Sequence, residues 1–433
     1  MSDSCRSYDI LVWGATSFTG TRLIEYLALN SPPDTRVALG GRNQSKLEGV
    51  KQALSAKHPD ATLCIDAMDI LVGDSADAAR LREIVAKAKV VASTVGPYAA
   101  YGSELIRVCV AEGADYCDIT GEYPWVKQMH RELNEEAVQN NVHIVSMCGF
   151  DCIPADLGCF MLTHYARDEL NEPLQHVKGS IIGIKGGVSG GTLATLVIQI
   201  GIERKRLWHK IKSTLGLKSA SSKMASRDTN IVSDKRFQRG VIHYDDSVQR
   251  WQTFWVMSMI NTQTVRWAGQ VLDYGPGFSY AESMSAHNLV HAIALAVGLV
   301  FGLMLMMFSL TRKILYALKI VPRPGEGPSE EFTRNGFFSL NLEGFTQSGI
   351  VYGKVSGASD PGYGETITYL GESALCLAFD RDRTFQPGIY PPSVAMGKAL
   401  LRRLRNKGCQ FDVGRAPIPT ARNANEQDSK KKQ

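Results

Sequence analysis

Residues 8–20 read Tyr-Asp-Ile-Leu-Val-Trp-Gly-Ala-Thr-Ser-Phe-Thr-Gly, and they constrain this chain more than any other stretch. An apolar strand, Ile10–Trp13, runs into a glycine turn. A helical pattern with Leu23, Ile24 and Leu27 follows. A corner of this kind lets main chain approach a pyrophosphate. Glycine at 14 removes the Cβ from the turn, and glycine at 20 lets the helix lie close to the sheet. The first helical turn offers unpaired N–H groups and the positive end of its dipole. The spacing is Gly14-x-x-Ser17-x-x-Gly20, with serine where the middle glycine of a G-x-x-G-x-x-G loop would stand. The expected phosphate loop is therefore Gly14, Ala15, Thr16, Ser17, Phe18, Thr19 and Gly20. An ordinary strand–turn–helix corner shares the local pattern, so the neighbouring elements decide.

The next strand, Arg36–Arg42, starts where a Rossmann fold reads the adenosine ribose. An NAD site needs Asp or Glu here for the 2′-hydroxyl. This chain has Gly40-Gly41-Arg42 and no acid. A carboxylate would repel a 2′-phosphate, whereas a guanidinium pairs with it and stacks on adenine. Gly41 and Arg42 thus point to NADP(H). A solvated arginine at a helix start is the alternative.

Strand and helix alternate through residue 147. A helix is expected at Ser45–Lys57 and a third strand at Ala61–Ile65, with Asp69 beyond it placed to cap the adenine edge. Val90–Val95 reads as a fully apolar fourth strand ending in Gly96-Pro97-Tyr98. Asp115–Asp118 is a fifth, and Val142–Met147 closes the sheet. Repeated βα units with apolar strands specify a doubly wound parallel sheet, so the fold class is α/β and Rossmann-type.

Beyond Gly149 the rhythm changes. Extended runs at 176–185, 336–345 and 350–356 imply an antiparallel sheet in a second α+β domain. The expected division is 1–150 for the nucleotide domain and 151–287 with 326–413 for the second. An apolar insertion occupies 288–325, and a disordered tail runs over 414–433. Leu289–Leu310 has no acid or strong base and approaches the ~20 residues that cross a bilayer as a helix. A single crossing would place strands of one sheet on opposite sides of the membrane, so a re-entrant or surface-lying helix is expected. A helix buried in the protein or a dimer interface is the alternative.

The formal charge is only +5, but residues 201–240 carry eleven Lys/Arg against three Asp/Glu. Such a stretch suits anionic lipid headgroups or a plain charged loop; no aromatic platform accompanies it, so nucleic acid is not expected as a partner. The nine cysteines form no C-x-x-C pair, and the spacing of Cys148, Cys152 and Cys159 fits no zinc pattern. They read as free thiols, and no metal is expected. Met1–Ser7 is polar and leads directly into a strand, so a secretory leader is not expected.

Several motifs occur in order: Gly14–Gly20, Gly40-Gly41-Arg42, Gly96-Pro97-Tyr98, Asp118–Glu122, Gly149–Asp156, Ser189–Thr192, Asp360–Tyr363 and Pro391–Gly397. Together they resemble the saccharopine dehydrogenase-like oxidoreductase family, over about residues 8–413. Mycobacterial relatives in that family act as trans-acting enoyl reductases, and eukaryotic members associate with lipid droplets and membranes. The resemblance implies an NAD(P)-binding domain plus a substrate or dimerisation domain; in the second case the protein would be a homodimer. It does not imply saccharopine as substrate. Members usually carry glycine where Ser17 stands, which puts tight cofactor binding in question.

In such sheets ligands bind beyond the carboxyl ends of the strands. Gly96 and Pro97 are expected beside the ribose and nicotinamide. Tyr98 is the candidate proton donor, with an aromatic lid as its alternative role. Asp118, Glu122 and Asp151 either orient a water or carboxamide or cap helices. Lys185, on a strand of the second domain, is the candidate for holding a substrate carbonyl. The leading expectation is an NADP(H)-dependent oxidoreductase. Its substrate would be a hydrophobic, lipid-linked carbonyl or enoyl compound at a cytosol-facing membrane, such as a lipid droplet, the endoplasmic reticulum or the mitochondrial surface. The alternatives are a catalytically silent membrane protein that keeps the fold, and a saccharopine-type amino-acid dehydrogenase.

Overall fold

The structure, a computed structural model, describes residues 6–187, 241–318, 321, 327–381 and 385–418. The basic stretch 201–240, the Ser189–Thr192 motif and most of the expected tail lie outside them. Two compact units are present. The larger takes residues up to 187, 255–283 and those from 328 on; the smaller takes the described part of 188–254 and 284–327.

The first sheet of the larger unit contains β1 (Tyr8–Trp13), β2 (Val37–Gly41), β3 (Asp69–Val72), β4 (Ala88–Ser93), β5 (Asp115–Asp118) and β6 (His143–Val145), with a late strand Gly388–Tyr390. Its spatial order is the late strand, β6, β5, β4, β1, β2, β3, and neighbours pair in parallel. This is the 3-2-1-4-5-6 order of a dinucleotide-binding fold. Ile10, Leu11 and Val12 are fully buried, as are Val90, Val91 and Ala92, because helices cover both faces.

Two sequence expectations need correction. Ala61–Ile65 is not the third strand: Thr62–Asp66 is helical, with Leu63 exposed and Ile65 buried, and the strand begins at Asp69. A five-residue apolar run fits either periodicity. Nor does Val142–Met147 close the sheet. Gly388–Tyr390 returns from far downstream and pairs in register with His143–Val145. The helix Thr366–Phe379 returns with it and packs beside the first helix, Phe18–Asn30. Its Gly371 leaves room for Tyr26, whose ring carbon would lie 2.4 Å from an added Cβ, and Tyr26 donates to Glu372 Oε1 at 2.7 Å.

The second sheet supplies β7 (His176–Lys185), β10 (Ser279–Ala286), β11 (Phe337–Phe345), β12 (Ile350–Gly357) and β14 (Gln410–Gly414), numbered so that β8 and β9 fall in the smaller unit and the late strand Gly388–Tyr390 is β13. β11 pairs antiparallel with β7 and β12, and β12 with β14. The predicted extended runs thus form the sheet's centre. The helix Ile153–Leu170 lies on it through Gly158, where any Cβ would come within 2.4 Å of Leu342.

In the smaller unit, β8 (His243–Asp245) and β9 (Arg250–Phe254) form a hairpin, and Gln252 donates to Ser285 at 2.9 Å. The expected apolar segment is a helix over Leu289–Met307, capped by Asn288, which accepts from His291 N–H. Phe308 breaks it (φ −91°, ψ 131°), and a second helix spans Ser309–Ala317. Arg312 and Thr311 donate to carbonyls at the break, Met306 and Phe308 respectively.

Candidate functional site

The turn after β1 behaves as its glycines dictate. Gly14 has φ +88°, and a Cβ there would sit 2.6 Å from Val95. A Cβ on Gly20 would sit 2.2 Å from the Gly14 carbonyl oxygen. Both positions exclude a side chain, and the helix therefore starts tight against β1. Ser17 caps that helix: its hydroxyl accepts the Gly20 N–H at 2.9 Å and lies 3.0 Å from Thr94 Oγ1. The backbone there is extended (φ −75°, ψ 161°), a region open to every residue, so serine replaces glycine without strain. Ala15 is locked to the Gly40 carbonyl, but the N–H groups of Thr16, Phe18 and Thr19 have no acceptor among the described residues. They form an anion-accepting cradle at the positive end of a 13-residue helix.

Arg42 follows β2 at the same edge. Its side chain is 78% exposed and 3.9 Å from Asp74, a loose contact that leaves the guanidinium available. Gly41 is buried, with only ordinary contact to Leu47. Asp69 is not at this edge. It begins β3 opposite Ala38, so the strand's length separates it from the carboxyl end, and it accepts from the Tyr8 hydroxyl at 2.8 Å. The adenine-capping role assigned to Asp69 is therefore overturned; Asp74 stands where that role was sought. The misplacement follows directly from the expected strand, Ala61–Ile65, lying ahead of the observed one, Asp69–Val72.

Gly96 and Pro97 follow β4, as expected, and Tyr98 comes next, but its ring lies behind Gly96 and against Trp125. Its hydroxyl donates to the Ser93 carbonyl at 3.1 Å, and only 6% of the residue is exposed. Burial, together with the nearby acids Asp118 and Glu122, pushes the phenol far above its ordinary pKa. The proton-donor role for Tyr98 does not survive this geometry: it is a buried strut of the loop. Glu122 caps the following turn, accepting from Tyr98 and Ala99 N–H at 2.8 and 2.9 Å. Asp118, fully buried, accepts from Thr120 and Met147 N–H and from the Tyr116 and Ser146 hydroxyls, so it braces the edge. Lys185 ends β7 opposite Phe337 with its side chain exposed. Two residues on, Gly187 N–H donates to Asp360, which also accepts from Tyr363 N–H at 2.7 Å. The Tyr363 ring meets Phe18 edge-on at 5.0 Å. The Asp360–Tyr363 motif is thus a brace between β7 and the phosphate loop.

A family profile described as the saccharopine dehydrogenase NADP binding domain matches residues 10–145. A candidate trans-acting enoyl reductase of Mycobacterium tuberculosis H37Rv is 32% identical over 426 residues, covering 96% of this chain and 99% of that one. A trans-acting enoyl reductase of Mycobacterium ulcerans is 30% identical over 420 residues, with 94% and 98% covered. The apo saccharopine dehydrogenase (L-Glu forming) of Saccharomyces cerevisiae overlays with a TM-score of 0.49 at 13% identity, covering 94% and 99%. The chain belongs to the saccharopine dehydrogenase-like family. It carries an NADP(H)-binding oxidoreductase domain, and its donor-lined loop and exposed arginine fit that cofactor.

One polar group in this saccharopine dehydrogenase-like protein has no brace to make. Asp151, in the turn after β6, accepts no hydrogen bond among the described residues. Burial pushes its carboxyl up to about 6. Nearby, Asn261 donates to Glu282 at 2.8 Å, and burial raises Glu282 to about 7 against hydrogen bonds from Asn261 and Tyr280 that lower it. Sequence reasoning missed Asn261 and Glu282. Asn261 lies in a helix without a motif, and Glu282 is an acid in a strand whose burial only the fold reveals. Among the described residues no cluster of His, Cys, Asp and Glu is arranged to hold a metal, and the described cysteines are free, only Cys64 being exposed.

Proposed function

We propose that this protein is an NADPH-dependent reductase of a hydrophobic, lipid-linked enoyl or carbonyl substrate, working at a membrane surface. The observation that carries the reading is the cradle of free N–H groups at Thr16, Phe18 and Thr19 with Arg42 beside it, in a chain whose relatives are trans-acting enoyl reductases. Gly14 to Gly20 would hold the pyrophosphate, Arg42 the 2′-phosphate, and Gly96-Pro97 would flank the nicotinamide end. NADPH, when bound, supplies the hydride. The protein's own task is to hold the acyl carbonyl at the carboxyl edge of β4 to β6 and keep water from it. The membrane setting is supported by the Leu289–Met307 helix, where Val290, Val297, Val300, Phe301 and Met304 are all more than half exposed.

Titration with NADPH and NADH tests the cofactor assignment: NADPH should bind at least about tenfold more tightly, and Arg42→Ala should remove most of that preference. Equal affinities in the parent protein would refute it. A second reading, a fold-retaining membrane protein without turnover, draws on the sequestration of Tyr98. It gains if NADPH binds but is not consumed with medium-chain enoyl thioesters or ketones.

A further inference from the structure

Asp151, Asn261 and Glu282 lie near one another in the larger unit. A Cβ built on Gly121, just past β5, would lie 3.7 Å from Asp151 Oδ2 and 3.2 Å from Ile260 Cδ1. Asn261 adjoins Ile260 on the helix Ser258–Val271 and reaches Glu282 on β10. Glu282 and Tyr280 pack in turn on Gly179 of β7, 3.3 and 2.8 Å from the position of a Cβ there. Burial raises the Cys152 thiol, the charges of Asp151, Asp156 and Glu282 raise it further, and its sulfur lies 4.0 Å from Thr264 Oγ1.

Three features separate this set from an ordinary buried ion pair. Among the described residues no cation faces Asp151 or Glu282. Both carboxyl residues keep partial solvent access, although the groups packed around them raise both carboxyls. Asn261 is 4% exposed, yet its Oδ1 has no donor. An unmatched buried polar atom costs about 1–3 kcal/mol, which a complementary ligand recovers.

We propose that Asp151, Asn261 and Glu282 form the polar end of the acyl-substrate pocket and bind its carbonyl oxygen. The proposal rests on the reductase reading, and it adds the residues that recognise the acyl group. A protonated Glu282 donates to the Asn261 amide oxygen once the amide turns over and its N and O exchange places. The Asn261 NH2 group then faces the proposed pocket. Together with a protonated Asp151 it puts two donors on one carbonyl oxygen, the arrangement that stabilises negative charge developing there. Burial favours the protonated form of both acids. An ionised Glu282 can only accept, so it holds the Asn261 NH2 in the pairing seen in the structure, and the second donor is withdrawn.

The other titratable groups beside Asp151 and Glu282 are the Cys152 and Cys159 thiols and the Tyr280 phenol. Burial holds all three well above their ordinary values and therefore neutral. Asp156, farther along the helix Ile153–Leu170, rises to about 7, but both its oxygens accept from Ser393. Asp118 rises to about 6 with its oxygens fully engaged. Arg266 lies five residues beyond Asn261, on a different side of the helix.

The test uses the full-length protein and a saturated thioester, S-octanoyl-N-acetylcysteamine, with binding followed by calorimetry at pH 6 and pH 8.5. The parent protein should bind at least about tenfold more tightly at pH 6. The double variant Asp151→Asn/Glu282→Gln donates from amides at either pH, so its affinity should differ by less than about threefold between them. Asn261→Ala should lose about tenfold at pH 6. A flat profile in the parent protein, no binding at either pH, or parental affinity in Asn261→Ala overturns the proposal. NADPH titration of the same samples separates the two readings. NADPH binding with a flat thioester profile removes this site alone, whereas the predicted profile without NADPH binding removes the reductase reading alone. Circular dichroism confirms that each variant is folded.

Discussion

The Ser17 hydroxyl accepts the Gly20 amide at 2.9 Å, so the side chain that replaces a glycine in the phosphate loop is spent on the helix behind it. Removing that cap with Ser17→Ala should cost about 1 kcal/mol, seen as a lower urea midpoint with an unchanged slope. NADPH affinity should stay within about threefold, because the Phe18 and Thr19 N–H groups are untouched. Ser17→Gly should destabilise by only a few tenths of a kcal/mol. A tenfold loss of NADPH affinity in Ser17→Ala would place the hydroxyl on a phosphate instead.

Tyr98→Phe separates a strut from a proton donor. The hydroxyl's bond to the Ser93 carbonyl is buried, and its loss leaves that carbonyl short of a donor, at a cost of about 1 kcal/mol. Turnover of any identified substrate should remain within about twofold of the parent. A hundredfold fall in kcat would return Tyr98 to the chemistry.

What the sequence made legible was set by local physics. The Gly14–Gly20 turn, the apolar runs of β1 and β4, and the two runs that became β11 and β12 are each fixed by residues adjacent in the chain. Asp69 was misplaced because Ala61–Ile65 is too short for its periodicity to discriminate strand from helix, and Leu63 turns out to face solvent. Tyr98 was misread because spacing puts it at the edge but says nothing of the ring's direction; that is set by Trp125 and the Ser93 carbonyl. Gly388–Tyr390 joining β6, and Asn261 meeting Glu282, are long-range pairings with no local signal at all.

Stability should fall as pH rises from about 5 to 8. Burial raises the carboxyl groups of Asp118 and Asp151 to about 6, and those of Asp156 and Glu282 to about 7. Each folded-state value lies above the unfolded one, so the native state holds more protons in this window. The stabilisation is complete below the unfolded carboxylate pKa and is lost as pH passes through 6 and 7. Asp156→Asn should flatten part of that slope in thermal melts while lowering Tm at pH 5, since Asp156 Oδ1 and Oδ2 both accept from Ser393. A Tm that rises between pH 5 and 8 would contradict the assignment.

The Leu289–Met307 helix should bind bilayers from one side. Val297 and Phe301 are 61% and 60% exposed, an area that water disfavours and hydrocarbon does not. β10 precedes the helix and β11 follows it, and both belong to one sheet, so the chain must return to the side from which it left. The double change Val297→Glu/Phe301→Glu should shift most of the protein from floated liposomes to the soluble fraction. NADPH affinity should be unaltered, because the cofactor loop lies in the other unit. In sealed vesicles, cysteines introduced as His287→Cys and Ser329→Cys should react with an impermeant maleimide added from the same side. Labelling from opposite sides would demonstrate a single crossing, and flotation that survives the double change would show that another surface makes the attachment.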